Sequence, residues 1–310
     1  MRVLVTGGAG FIGSHLVEGL LRQGHRVRVL DNFSSGHRRN LAAVRQDVEI
    51  LRGDCANLAA ATRAVRGIEA IFHEAAVPSV ARSVADPGLS HRANATGTST
   101  LLVAARDAGV RRVVFAGSSS VYGGQPGLPK REQMQPLPLS PYAVDKMLGE
   151  HYLRIFSSLY GMETLTLRYF NVFGPRQDPG SPYSGVISLF ATALLAGRTP
   201  VIYGDGRQSR DFTYVDNVVH ANLLALQAKG LKGQSVNVAT GRRISLLQLL
   251  KAMAKRLGRP ARASHKAHRQ GDVKHSLADI GAARKLLGYR PQVAFEEGLE
   301  RTLDWYRTTR

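Results

Sequence analysis

Short apolar runs alternate along the first half of the chain with stretches whose apolar positions recur every three or four residues, the periods of strand and helix. "RVLVTG" predicts strand one, "SHLVEGLLRQG" an amphipathic helix stopped by Gly24, and "RVRVLD" strand two. "VEILRGD", "AIFHEAA", "RVVFAGSSS" and "METLTLRYFNV" predict strands three to six. One helix is expected over residues 94–108, ended by Gly109. Another opens at "SPYAVDK", where Ser140 suits the N-cap and Pro141 the first turn. In that helix Val144, Met147, Leu148, Tyr152 and Ile155 have the spacing of one buried face. Repeated βα units of this kind build a parallel sheet.

The texture changes after Asn171. "FGPRQDPGSPYSG" is rich in Gly and Pro and reads as a loop. A helix over residues 186–196, a short strand in "PVIYGDG", and amphipathic helices over 246–257 and 295–305 follow without regular alternation. This part is expected to form a smaller cap over the C-terminal edge of the sheet.

Glycines dominate the turn after strand one: Gly7, Gly8, Gly10 and Gly13, with Phe11 and Ile12 opening the helix. Such spacing permits a tight turn, close approach of backbone to a pyrophosphate, and phosphate binding at the helix N-terminus. Strand two ends in Asp31, where a carboxylate accepts the adenosine ribose hydroxyls and repels a 2′-phosphate, which favours NAD over NADP. Asn32, Ser34 and Gly36 follow it on the cofactor side. Asp54 is placed either for the adenine amine or as a helix N-cap, and Cys55 beside it reads as packing at the cofactor's edge. The fold class is therefore α/β: a Rossmann-type doubly wound sheet over residues 1–175, with later strands around 211–240 returning to it. Residues 176–310 are mainly the C-terminal α/β substrate-binding cap.

Strand five delivers Ser118 to the edge where the cofactor is expected, and Tyr142 and Lys146 share one helical face. Serine, tyrosine and lysine converging there form an acid–base unit. A free phenol titrates near ~10, too high for a base at neutral pH, and a neighbouring ammonium favours the phenolate. The unit can take a proton from an alcohol whose carbon is being oxidised.

Taken in order, "TGGAGFIG", Asp31, "SSSVYG", "SPYAVDK" and "LRYFNVFGPRQ" resemble an extended short-chain dehydrogenase/reductase of the nucleotide-sugar epimerase and dehydratase group, over essentially the whole chain. The resemblance implies that Tyr142 is the base, that Lys146 holds the nicotinamide ribose, and that Ser118, Ser119 and Ser120 lie along the sugar. It places Ala75, Ala76, Asn94 and Tyr169 at the nicotinamide, with Ser79, Asn171, Gly185, Val186 and Tyr203 near the nucleotide sugar. Dehydratases of the group carry Asp-Glu where this chain has Ser119 and Ser120, so dehydration is not expected. "VPSVARSVADP", "GDGRQSRDFTYVD" and "QGDVKHSLADI" are similar to the UDP-N-acetylglucosamine 4-epimerase branch. In that branch Arg210 and Arg269 would pair with the diphosphate, Asp272 with the uridine ribose, and the small Ser276 would leave room for a 2-acetamido group. The implied activity is 4-epimerisation of UDP-GlcNAc/UDP-GalNAc, extending to UDP-Glc/UDP-Gal. A UDP-glucuronate 4-epimerase or decarboxylase is the alternative, and a non-catalytic NAD- or RNA-binding scaffold the alternative of another class. Glu74 in "HEAA" departs from the group's pattern, as do Cys55, Gly124, Gly185 and Ser188. Relatives pair through the Tyr–Lys helix and the one before it, so a homodimer is expected, with Leu101, Leu102 and Ala105 permitting the contact.

The remaining composition narrows the setting. At 310 residues and 44% hydrophobic, the chain can bury a large core, and no apolar run approaches the ~20 residues of a membrane helix. Met1 leads directly into a strand with no signal-peptide pattern, and one cysteine excludes a disulfide framework. A cytoplasmic protein without a metal site is expected. The net charge is +19. Its densest basic run, "KRLGRPARASHKAHR", lacks interleaved aromatics, so a solvated basic surface or a field attracting a small polyanion is expected rather than a nucleic-acid partner.

Overall fold

Strands predicted from apolar runs become the centre of the molecule. The computed structural model describes residues 1–178, 185–267 and 273–309. Seven strands form one sheet: β1 (Arg2–Thr6), β2 (Arg26–Asp31), β3 (Val48–Arg52), β4 (Ala70–His73), β5 (Arg112–Ser118), β6 (Glu163–Tyr169) and β7 (Gln234–Val238). The order is β7-β6-β5-β4-β1-β2-β3, every neighbouring pair parallel. Chain order reverses between β1 and β4, which opens a crevice at the C-terminal strand ends where a dinucleotide binds.

Both faces of the sheet are covered. One carries α1 (Phe11–Arg22) and the helix Val215–Gln227 over Val3, Val5, Val29, Leu165 and Val236. The other carries α2 (Leu58–Val65), α3 (Gly97–Asp107) and α4 (Pro141–Tyr160) over Leu4, Leu30, Ile71, Val113 and Phe115. A separate apolar cluster joins Ile187 and Phe190 of α5 (Val186–Leu195), Leu249 and Met253 of α6 (Leu246–Leu257), and Phe295 and Leu303 of α7 (Phe295–Thr308) with Phe173, Phe212 and Tyr214 from the strands and loops between. Ala283, Leu287 and Tyr289, late in the chain, pack with the sheet's core instead.

In α4 most of the face expected to be buried lies outward, although Met147 packs against the sheet's core. Val144 is 38% exposed, Ile155 47% and Leu159 68%, whereas Ala143, Asp145, Lys146, Gly149, Leu153 and Phe156 face inward. The reason is close approach. A Cβ on Gly149 would lie 2.5 Å from the Phe115 ring, so this side of the helix settles onto β5 and carries Lys146 under the strand end. A buried ion pair fixes the docking, Arg168 Nη2 on β6 donating to Glu150 Oε2 at 2.7 Å. Leu101, Leu102 and Ala105 are also buried in the chain's own core and cannot supply a dimer contact, so that expectation is corrected. Among the described residues, no helix is long and apolar enough to cross a membrane.

Candidate active site

The glycine loop lies where β1 meets α1. Gly7 has φ +68°, and a Cβ there would stand 2.7 Å from the Ala75 backbone. A Cβ on Gly13 would sit 2.2 Å from the Gly7 carbonyl oxygen. Only hydrogen atoms fit at these crossings. Gly10 caps α1 without a side-chain bond, and no acidic residue stands in the first turn at Phe11 and Ile12. The first-turn amides and the positive dipole end are thus turned to an anion.

Asp31 ends β2 and is buried, its Oδ2 accepting Ala9 N at 2.9 Å and its Oδ1 Phe33 N at 2.8 Å. Burial raises its pKa and these two amides oppose the rise. Gly36 is buried within 2.9 Å of its carboxylate when given a Cβ, while Asn32 and Ser34 are exposed. Arg38 and Arg39 are exposed as well, Arg38 lying over the Phe33 ring. Asp54 follows β3, and its Oδ1 accepts Ala56 N at 2.8 Å. Asn57, not Asp54, caps α2, which removes the N-cap alternative. Cys55 packs its thiol into the core, and burial pushes that group up to about 12. A cradle closed to side chains, open helix amides and a carboxylate at the end of β2 together fit a dinucleotide.

On the other side of the crevice, Ser118 ends β5, near enough to Tyr142 for its hydroxyl to favour the phenolate. Ser120 Oγ donates to Ser118 Oγ at 2.8 Å. Ser140 Oγ accepts Ala143 N at 3.2 Å and Pro141 opens the helix, so Tyr142 stands in the first turn of α4. Lys146 is 2% exposed. Its Nζ donates to the Ala116 carbonyl at 2.9 Å and lies 6.0 Å from the Tyr142 ring centroid. Burial pushes the ammonium down to about 8. Burial likewise pushes the Tyr142 phenol up to about 12 in the protein alone, with Ser118 opposing the rise. Desolvation dominates at both groups: it outweighs Ser118 at the phenol, and the Glu74, Asp145 and Glu150 charges at the ammonium.

Glu74, immediately after β4, joins the two halves. Its amide donates to the Thr6 carbonyl at 3.2 Å beside the glycine loop, and its Oε1 accepts the Tyr169 hydroxyl at 2.8 Å. The half-buried Ala75 and Ala76 continue from it. Asn94, in the wider turn Arg92–Thr96 that precedes α3, accepts Val77 N at 2.9 Å and so holds this loop. Ser79 caps the short helix Val80–Ala85. Sequence reasoning noted Glu74 only as a departure and missed Asn222, whose Nδ2 donates to the Tyr169 hydroxyl that bonds Glu74. A carboxylate directly after the buried strand β4 was the available signal.

Farther out, Asn171 (φ +35°) follows β6, and the next loop docks on α1 through Pro175 O and the His15 ring, 3.0 Å apart. Arg210 Nη1 donates to the Ser209 and Lys274 carbonyls at 3.0 and 3.2 Å, and Ser276 N donates to the same Ser209 oxygen at 2.9 Å. These two expected substrate residues therefore share one strip. Gly185 caps the helix begun by Val186, and Tyr203 is half-buried on the strand Val201–Tyr203. Ser119 opens a short 3-10 turn with Ser120. Arg269 and Asp272 lie outside the described residues, as does part of the loop before Gly185.

Residues 3–239 match the model of the NAD dependent epimerase/dehydratase family. The chain belongs to that family. Its members depend on NAD, and NAD is the cofactor of this chain. A UDP-glucose 4-epimerase of Mycolicibacterium smegmatis is 44% identical over 99% of both chains. Among solved structures, the UDP-N-acetylglucosamine 4-epimerase of Methanobrevibacter ruminantium, in complex with UDP-N-acetylmuramic acid, superposes with a TM-score of 0.95 at 39% identity. That match covers 100% of this chain and 99% of the other. The UDP-glucose 4-epimerase of Thermus thermophilus in complex with NAD gives 0.91 at 39% identity, with 99% of each chain covered.

Proposed function

We propose that the protein interconverts the C4 epimers of a UDP-hexose, with UDP-GlcNAc and UDP-GalNAc as its preferred pair and UDP-Glc and UDP-Gal as further substrates. The observation that carries this reading is the gathering of Ser118, Tyr142 and Lys146 at the end of β5, on the same C-terminal sheet edge as the glycine cradle. NAD, when bound, supplies reversible oxidation at the sugar's C4. Tyr142 takes the C4 hydroxyl proton and returns it, Ser118 orients that hydroxyl, and Lys146 places positive charge beside the phenol. Gly7, Gly10 and Gly13 would hold the pyrophosphate, Asp31 the adenosine ribose, and Tyr169 the nicotinamide side.

Three features favour this substrate. Arg210 offers a guanidinium suited to a diphosphate. Ser276 keeps the adjoining position small. Ser119 and Ser120 supply no carboxylate for eliminating water. We read the cluster built on α5, α6 and α7 as the cap that grips the nucleotide. Relatives of both substrate types are consistent with the choice. A reducing, cytoplasmic setting suits the single buried Cys55.

We infer further that two copies pair through the outer face of α4. Val144, Tyr152, Ile155 and Leu159 leave an apolar stripe there that a second copy would cover. Incubation with UDP-GlcNAc, UDP-Glc and UDP-glucuronate, followed by separation of products, tests the reaction. UDP-GalNAc formed without accumulation of reduced NAD is the expected result. Conversion of UDP-glucuronate alone would refute the substrate.

A further inference from the structure

Glu74 is an ionisable acid in the crevice that the serine–tyrosine–lysine unit does not require. Tyr169 Oη receives Asn222 Nδ2 at 2.8 Å, and the same Nδ2 also donates to the Val218 carbonyl at 2.9 Å. An amide nitrogen only donates, so the phenol's one proton points to Glu74 Oε1, 2.8 Å away. Asn222 and Tyr169 are both buried, and the chain of bonds fixes the carboxylate against the sheet edge. From there its charge reaches both Lys146 and Tyr142.

Building on the epimerase reading, we propose that Glu74 is a positioning residue for proton transfer, its carboxylate held by Tyr169 and Asn222 so as to set the charge that Lys146 and Tyr142 experience. The groups facing this pair are few. Lys146 meets Glu74 from the end of β4, Asp145 and Glu150 from its own helix, and the buried, neutral His73 from β4, pushed down to about 3. Tyr142 meets Ser118 and Glu74. Burial pushes Glu74 up to about 7, opposed by the Tyr169 bond and the Lys146 charge. Its negative charge raises the pKa of both partners. Removing that charge therefore lets the ammonium–phenol pair lose its proton at lower pH, and the acid limb of kcat moves down.

The test is kcat against pH for the NAD-loaded wild type, Glu74→Gln and Glu74→Asp, with melting curves to confirm folding. The acid midpoint of Glu74→Gln is expected about one unit below wild type, the shift typical of a close charge. Glu74→Asp, which keeps the charge, is expected to keep the wild-type midpoint. A Glu74→Gln midpoint that is unchanged or higher, whatever the rate, overturns the proposal, because a purely structural residue changes rate without moving the titration. Should Glu74→Gln not fold, Tyr169→Phe removes the bond that favours the carboxylate and shifts the midpoint the same way by less; no downward shift overturns the proposal equally. Wild-type protein that turns over no UDP-hexose refutes the epimerase reading instead, before any variant is compared.

Discussion

Two helices frame the crevice, and they bury opposite kinds of surface. α1 turns Leu16, Val17 and Leu20 to the sheet and presents main-chain amides to the cofactor side. α4 turns Lys146, Asp145, Gly149 and Glu150 inward and leaves Val144, Ile155 and Leu159 outside. The first helix makes its contribution with backbone, so its side chains are free to form ordinary core. The second makes its contribution with side chains, and those occupy the face that packing would otherwise take. Leu153 and Phe156 still pack into the core, whereas Val144, Ile155 and Leu159 are left at the surface, the stripe proposed to meet a second copy. A functional helix can therefore carry a normal hydrophobic stripe and still bury the other side.

The contrast can be broken at several points. Tyr142→Phe strips α4 of its acid–base group alone, and kcat is expected to fall by about 10²–10⁴-fold with NAD still retained. Steady-state rates and the NAD released on denaturation measure both. Gly13→Ala attacks α1 through its backbone, because the nearest atom is the Gly7 carbonyl oxygen and cannot swing aside. A loss of about 1–3 kcal/mol, as for overpacking, together with loss of bound NAD, is expected in melting curves and released-nucleotide assays. Gly149→Ala is milder, since its obstacle is the Phe115 ring. A shift of Lys146 is expected to cost on the order of tenfold in kcat while NAD stays bound. Ile155→Glu combined with Leu159→Glu has the smallest effect on folding, within about 0.5 kcal/mol for each exposed position. Sedimentation should nevertheless show the pair of copies falling apart.

Sequence made the sheet, the glycine cradle and Asp31 legible for a physical reason. Buried parallel strands read as apolar runs, and a phosphate loop needs glycines at fixed spacing whatever surrounds it. β2 and α6 have the bounds that the pattern implied. The buried face of α4 was not legible, because periodicity reports where apolar residues lie and not which side the tertiary structure selects. The same limit hid Leu101, Leu102 and Ala105, whose apolar spacing serves the chain's own core. Asn94 and Ser79 were recognised as important positions, yet their side chains bond the backbone of the loop after β4 and the helix that follows it. Glu74 escaped for another reason. Its meaning depends on Tyr169 and Asn222, which come from distant strands and helices and meet only in the fold.

The reversible redox step at C4 is tested most directly with UDP-GlcNAc carrying deuterium at that carbon. In ordinary water, product UDP-GalNAc is expected to keep the label at C4, because the hydrogen leaves and returns within one crevice while Tyr142 moves only the hydroxyl proton. Loss of the deuterium to solvent, or an inverted product formed with no label transfer, would contradict oxidation and return at this site.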